Sequence, residues 1–280
     1  MKEFGGQAVI EGVMIAGKKN YVVAVRKGNR ILVKRENINR VSDKYPILKW
    51  PFVRGIVSLV DTLRIGVDAL GWSAMQAGEA EEELGKKDLV FVFASAFLFS
   101  MLLFVGVPFF LTRLVSKDDG LLFNLIDGFF RILVFVLYIW IISLFKDIQE
   151  LFRYHGAEHK AVNCYEDGKK LTLENCRKYS TVHMRCGTSF LMIIVLISIV
   201  VFSLIADNRW YVKLVLRILL IPLIAGLAYE LLKVSTRLKG RMNLLFWPGQ
   251  YLQKLTTKEP NDKQLAVGIR ALKEIIKLES

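Results

Sequence analysis

The residues best suited to chemistry lie in one short stretch near the middle of the chain. All three histidines of the protein, His155, His159 and His183, fall there. His155 and His159 are four positions apart, so on a helix both imidazoles lie on one face and can bind the same metal ion. Glu158 stays close to that face, where a carboxylate can act as a general base or orient a ligand. This spacing predicts a site for a divalent transition metal, with zinc as the expected ion and Glu158 as the catalytic residue.

The predicted zinc site needs at least one more protein ligand. His183 and Cys186 are candidates because they directly precede a long apolar segment, which places them at the same membrane face. Glu230 is a third candidate, since ionisable residues inside apolar segments are functional suspects by default. The sequence leaves open which of these completes the site. Ordinary roles also stay open: His183 and Cys186 as loop and packing residues, and Glu230 as a partner of Lys233.

The His-x-x-Glu-His order is that of the inverzincin metalloproteases, although five residues alone are a weak match. The opposing interpretation places His155 and His159 on a solvated helix beside the membrane, where they bind nothing. Gly156 weakens any helix at that point. We favour the metal site over this interpretation because histidine is the commonest metal ligand in proteins.

Apolar segments predict that the chain crosses a membrane. Hydrophobic residues make up 53% of the protein, and they are concentrated in residues 89–112, 121–145, 187–206 and 214–232. A helix of about 20 residues spans the hydrocarbon core of a bilayer, which fits these lengths. In the second segment Asp127 and Arg131 are spaced to pair on one helix face. We therefore predict four transmembrane helices.

The distribution of basic residues predicts the orientation. Lysine and arginine number 15 before the first segment, eight in residues 146–185 and ten from Lys233 onward. With four spans these regions lie on one side, which the positive-inside rule makes the cytosolic side of the cell membrane. Topology and attraction to anionic lipids then explain the net charge of +13, so nucleic-acid binding is not expected. The three cysteines lie in the central cytosolic loop, where disulfides are not expected.

The predicted fold is a mainly α membrane protein: a four-helix transmembrane bundle with a small N-terminal β-meander and amphipathic interfacial helices. Its parts are a cytosolic β-meander (1–50), an amphipathic helix with a charged linker (51–88), two transmembrane helices (89–145), a cytosolic loop with the metal site (146–186), two further transmembrane helices (187–232) and a cytosolic amphipathic tail (233–280). In the first amphipathic helix the polar residues Arg54, Ser58, Asp61, Asp68 and Ser73 lie along one stripe. From Asn261 the tail is predicted to form a helix with Leu265, Ile269, Leu272 and Ile276 on one face. Glu11 interrupts the first apolar run of the meander. We interpret it as projecting outward from an edge strand, with a functional role as the alternative.

Six short motifs are spread in order along nearly the whole chain. They are residues 5–14 (GGQAVIEGVM), 51–55 (PFVRG), 155–160 (HGAEHK), 185–190 (RCGTSF), 222–230 (PLIAGLAYE) and 255–260 (LTTKEP). Together they resemble the YqhQ-like family of bacterial membrane proteins (domain of unknown function 1385), whose members are predicted metal-dependent enzymes. The resemblance implies a metal-dependent role, but it implies no substrate.

The leading functional hypothesis is a metal-dependent integral-membrane hydrolase, in one version a peptidase, acting at the cytosolic membrane face. Its partners would be the lipid bilayer and a membrane-associated peptide or protein substrate. The rival hypothesis is a non-catalytic, metal-stabilised scaffold or assembly factor that binds a protein partner. An open coordination position would favour the enzyme, and a closed site with four ligands would favour the scaffold. A transporter is disfavoured because paired broken helices are not apparent in the sequence.

Overall fold

The protein combines a small antiparallel sheet with many helices. The computed structural model describes residues 4–40, 45–50, 53–78, 85–116, 120–205, 209–235 and 243–280. The sheet contains β1 (Gly5–Val9), β2 (Gly12–Ala16), β3 (Asn20–Lys27) and β4 (Arg30–Asn37), in the order β1-β2-β3-β4. The helices in the described ranges are α1 (Val53–Ala77), α2 (Lys86–Met101), α3 (Val107–Val115), α4 (Leu121–Ile142), α5 (Lys146–Glu166), α6 (Leu173–Arg177), α7 (Gly187–Ser203), α8 (Trp210–Leu219), α9 (Ile221–Ser235), α10 (Asn243–Thr256) and α11 (Asp262–Glu279). A short 3₁₀ turn (Pro46–Lys49) precedes α1, and a π-helical segment (Leu102–Gly106) joins α2 to α3.

The N-terminal meander is confirmed, but its first apolar run forms two strands instead of one. Val9 of β1 pairs with Gly12 of β2, so the chain reverses at Ile10 and Glu11. Glu11 has a φ of 50°, which only a tight turn normally requires. The interpretation of Glu11 as an outward residue of an edge strand is therefore wrong. Its carboxylate instead accepts a 2.9 Å hydrogen bond from the hydroxyl of Tyr154 on α5.

The sheet is covered by helices on both faces. Alternate side chains of β3, such as Val22 and Ala24, pack with α5 and α11, whereas Val23 and Val25 pack on the opposite side with Ala69 of α1. Because both faces are buried, β3 reads as a continuous apolar run and not as an alternation. The result is a layer of helices on each side of one sheet, with α1 forming one layer and α5 with α11 the other.

The C-terminal helix was predicted from its periodicity, and it packs in the core of the protein. Asn261 caps α11 with its side chain and forms a capping box with Gln264. Leu265 and Leu272, which were predicted to share a face, are at most 1% exposed in the main core. An amphipathic pattern requires only that the apolar face of the helix be buried, and here that face packs against the sheet and α5. The central region 146–186, predicted as a loop, is likewise largely helical, since it contains α5 and α6.

The described helices give two or three candidate membrane spans, against the four predicted. Residues Val90–Val115 and Leu122–Ile142 are long and apolar enough to cross a bilayer. Trp210–Leu219 and Ile221–Lys233 count as a third span if the pair, bent by 46°, is taken as one. The apolar helix Gly187–Ser203 has 17 residues, so at 1.5 Å per residue it is about 26 Å long, a little short of a hydrocarbon core of about 30 Å.

A cluster of charged side chains ties the apolar helices together. Arg131 donates to Asp127 at 2.7 Å, which confirms the predicted pairing on α4. Arg217 of α8 donates to the other Asp127 oxygen at 2.8 Å, and Arg131 also reaches Ser198 of α7 at 3.3 Å. The three charged side chains are at most 3% exposed. Charges in apolar helices are expected to face the interior of a bundle and to pair, as they do here.

Candidate metal centre

Helix α5 carries the predicted histidine motif and is part of the core. Packed against α11, β1 and β2, it leaves His159 only 1% exposed and Glu158 only 4% exposed. The helix is therefore packed in the core and not solvated, which corrects that part of the alternative interpretation. Burial lowers the pKa of the His159 imidazole, which favours the neutral form that metals bind.

Two histidines and one cysteine converge on a single point. One ligand atom each from His155, His159 and Cys186 lies within 4.8 Å of the other two. The Cys186 sulfur is 3.2 Å from Nε2 of His155, and the two imidazole rings have centroids 4.4 Å apart. Two of these residues come from one helix and the third from a segment 27 positions after His159, so the tertiary fold assembles the group. Imidazole and thiolate are the ligands that zinc prefers.

Backbone carbonyls fix the orientation of both imidazoles. Nδ1 of His155 is 2.8 Å from the carbonyl of Thr256, and Nδ1 of His159 is 2.5 Å from the carbonyl of Thr181. A carbonyl can only accept a hydrogen bond, so each Nδ1 must carry the hydrogen. In the neutral ring Nε2 then keeps its lone pair, and in His155 this atom lies 3.2 Å from the Cys186 sulfur. Metal-binding histidines are held in this way.

Cys186 lies at the N-terminus of an apolar helix. It is the N-cap of α7, and its sulfur accepts a 3.5 Å hydrogen bond from the backbone N–H of Thr188. The partial positive charge at the start of a helix stabilises an anionic group such as a thiolate. A metal ion held here would therefore connect α5, which packs on the sheet, to the N-terminus of α7.

Glu158 lies beside the cluster but does not belong to it. Its Oε2 is 3.4 Å from Nε2 of His159, yet the set of mutually close ligand atoms does not include it. Gly6 of β1 covers the carboxylate so closely that a Cβ on Gly6 would lie 2.6 Å from Oε1. Burial raises the pKa of Glu158, partly opposed by the charges of His155 and His183. A carboxylate in this place can take a proton from a water molecule next to the ligands, or orient a ligand.

The structure does not bring the other two predicted ligands into the cluster. The ring of His183 is 5.6 Å from that of His159, and its Nε2 lies 3.3 Å from Glu166. Both oxygens of Glu230 accept hydrogen bonds from Arg54 of α1, at 2.7 Å and 2.5 Å. The prediction of Glu230 as a ligand is corrected by this contact, because α9 packs on α1 and directs the carboxylate there.

Gln253 is a supporting residue of the site that was not predicted from the sequence. This side chain on α10 is fully buried, accepts from the backbone N–H of His183 at 2.8 Å and donates to its carbonyl at 2.9 Å. It also donates to Ser189 of α7 at 2.8 Å, so it holds the chain on both sides of Cys186. The carbonyls of Thr181 and Thr256 were missed as well, because a backbone acceptor leaves no signal in residue types.

Gly156 allows the C-terminal segment to reach His155. A Cβ at this position would lie 2.1 Å from the carbonyl oxygen of Lys258, whose N–H donates to Phe152 at 2.9 Å. The same segment supplies the Thr256 carbonyl that orients His155. Glycine is therefore required here in spite of its low helix propensity.

Gly156→Ala should destabilise the protein and weaken metal binding together. The added methyl must displace the Lys258 backbone, and overpacking of this kind costs about 1–3 kcal/mol of unfolding free energy. Thermal unfolding and zinc content of the purified variant measure the two effects. Gly71→Ala in α1 is the matched control, because a Cβ there meets nothing within 4 Å. Equal behaviour of the two variants would contradict the assigned role of Gly156.

Comparison with known proteins places the chain in a family. The family model described as "Protein of unknown function (DUF1385)" matches residues 50–278. The chain is 33% identical over 300 aligned positions to the protein described as uncharacterised protein YqhQ of Bacillus subtilis (strain 168), covering 99% of this chain and 93% of that protein. No solved structure gives a significant match. With most of its length covered by both comparisons, the chain belongs to the DUF1385 family.

Proposed function

We propose that the protein is a zinc-dependent integral-membrane hydrolase whose metal is held by His155, His159 and Cys186. The observation that carries this proposal is the convergence of two imidazoles and a thiol, with both Nδ1 atoms hydrogen-bonded to carbonyls. Within the described ranges the group has three members. Three protein ligands and one open position are typical of catalytic zinc sites, whereas structural sites have four ligands.

The roles of the residues follow from their positions. Zinc bound there would act as a Lewis acid and lower the pKa of a water molecule. Glu158, 3.4 Å from Nε2 of His159, would accept the proton of that water on Oε2. His155 is only half-buried, which leaves the ligand group an approach from outside. Because Cys186 begins α7, a substrate would meet the site next to the membrane, which suits a membrane-associated peptide or protein.

The second candidate is a metal-stabilised scaffold that binds a protein partner. One observation favours it: the ligands come from α5, which packs on the sheet, and from the N-terminus of the apolar helix α7. Metal binding would thereby link the sheet and the helices packed on it to the apolar helices. In that case Glu158 would only support the ligands, and no reaction would depend on it.

Cobalt substitution tests whether Cys186 is a ligand. The purified protein loaded with Co²⁺ should show a thiolate-to-metal charge-transfer band in the near ultraviolet, and Cys186→Ser should lose it. Cys176→Ser is the control, since this buried cysteine lies in the main core, outside the ligand group. A band that survives in Cys186→Ser, or that is lost only in Cys176→Ser, would refute the proposed ligand set.

We further propose that α7 and the α8–α9 pair both cross the cell membrane, which gives four spans with both termini in the cytosol. The counts of basic residues support this orientation. In intact cells a membrane-impermeant thiol reagent should therefore label Gly120→Cys, which is outside, and not Lys169→Cys. Both positions are exposed, and the three native cysteines are buried, so background labelling should be low. Ready labelling of Lys169→Cys would overturn the orientation.

A further inference from the structure

Helix α1 is turned with its polar side inward. Asp61 and Ser73 are buried, and Gln7 of β1 donates to the carbonyl of Gly66 at 3.2 Å. The outward side is an apolar stripe at helical spacing with exposures of 37–58%, made by Val53, Ile56, Val60, Leu63 and Leu70. A helix at the surface of a soluble domain has the opposite arrangement. The outward stripe is therefore suited to hydrocarbon.

Contacts of α1 with the apolar helices place this stripe at the membrane. Arg54 binds Glu230, and Ser58 donates to the hydroxyl of Tyr229 at 3.2 Å, both on α9. Just before α1, Trp50 is 65% exposed, and Tyr45 is also exposed. Exposed tryptophan and tyrosine are typical of the membrane–water interface. Helix α1 thus lies between the sheet and the lipid.

A groove runs between the inner side of α1 and the sheet. It consists of two adjoining cavities of about 260 Å³ and 230 Å³, which share Ile38, Asp61 and Ile65 as lining residues. One end lies at Asp68 near β3, and the other reaches Tyr229 of α9. Since α1 separates this groove from the lipid chains, the groove lies at the level of the lipid headgroups.

The described lining of the groove includes three cations, Lys34, Arg40 and Arg64, and three carboxylates, Glu36, Asp61 and Asp68. Arg64 lines the first cavity and Arg40 the second, and both are exposed. In the part of the chain that the structure describes, neither guanidinium forms a salt bridge, whereas Lys34 in the same groove binds Asp68 at 2.8 Å. Guanidinium groups are well suited to phosphate. Asp61, at 8% exposure, lines the inner wall common to both cavities.

We propose that this groove binds the headgroup of a phospholipid from the cytosolic leaflet. Arg40 and Arg64 would hold the phosphate of the headgroup. A lipid is the occupant that fits, because the outward stripe of α1 is suited to hydrocarbon and the groove lies on the opposite side of the same helix, at the level of the headgroups. The proposal rests on the orientation proposed above and is independent of the metal centre.

Native mass spectrometry of the full-length protein tests this site. The delipidated protein in detergent is titrated with phosphatidylglycerol, and the tightly retained lipid is counted. The double variant Arg40→Ala, Arg64→Ala should lose one retained lipid or bind it at least about tenfold more weakly. The reason is that each basic residue near a bilayer contributes to the binding free energy for anionic lipid. Thr62→Trp should have the same effect by filling the second cavity from its exposed rim.

The matched control removes two other exposed cations, Lys169 and Lys170, and should bind lipid like the wild type. Lipid retention by the groove variants equal to that of the wild type would overturn the site. A loss of lipid in the control equal to that in the groove variants would also overturn it, because the loss would then reflect general attraction between basic residues and anionic lipid. Displacement of the lipid by millimolar inorganic phosphate would also overturn it, because the site would then recognise phosphate and not a lipid. Circular dichroism of each variant confirms that it is folded.

Discussion

His155→Ala and His159→Ala are each expected to remove most of the zinc from the purified protein. Either change leaves two protein ligands, and a tetrahedral site with two protein ligands is weak. The effect should be the same for both variants, because each ring has a ligand atom within 4.8 Å of the other two ligands and each ring donates to a backbone carbonyl. Zinc is measured per chain by elemental analysis after purification without chelators.

His183→Ala is the matched control for these variants. It removes a third histidine from the same region, but one whose ring is directed to Glu166. Its zinc content should stay close to that of the wild type. Wild-type zinc in both His155→Ala and His159→Ala would show that the cluster is not the metal site. Loss of zinc only in His183→Ala would move the site to that residue.

The local periodicities of the sequence predicted elements, but not what covers them. The spacing of Leu265 and Leu272 correctly predicted the C-terminal helix, yet the same spacing suits a membrane surface, a partner or a sheet. The polar residues of α1 show the same limit. Arg54 and Asp61 mark one face of the helix, and only the tertiary contacts show that this face is turned toward the protein.

The grouping of His155, His159 and Cys186 was predictable to the extent that it depends on local spacing. His155 and His159 needed only the geometry of one helix, and Cys186 was a candidate from its place before an apolar segment. The prediction of Glu230 failed because distance along the chain does not reveal that Arg54 approaches from α1. The Thr256 carbonyl could not be predicted at all, since its role depends on the close passage of the backbone over Gly156.

The charged cluster in the apolar helices contains one contact that local spacing predicts and one that it does not. Asp127 and Arg131 are four residues apart on one helix, so their pairing followed from sequence. Arg217 joins them from a helix 90 residues away from Asp127, which no local pattern encodes. Sequence therefore predicted the pair but not the three-residue cluster that holds α4 and α8 together.

Glu158→Gln should separate the hydrolase from the scaffold. Glutamine has the size of glutamate and is uncharged, so it fits the buried site beneath Gly6 and leaves the metal ligands in place. Bound zinc should stay near the wild-type level. Glutamine cannot accept a proton from water, however, and general-base catalysis contributes about 10²- to 10⁴-fold in rate. If the protein is a hydrolase, its function in the cell should be largely lost.

The measurement is genetic complementation of a deletion strain, read together with the zinc content of the same variant. Glu174→Gln, a carboxylate that is 83% exposed on its side chain, makes the same chemical change away from the site and should complement fully. A scaffold needs no proton acceptor, so full complementation by zinc-replete Glu158→Gln would refute the hydrolase. Loss of function together with loss of zinc would assign Glu158 to support of the ligands, because the carboxylate lies 3.4 Å from Nε2 of His159 and its replacement would then have disturbed that imidazole.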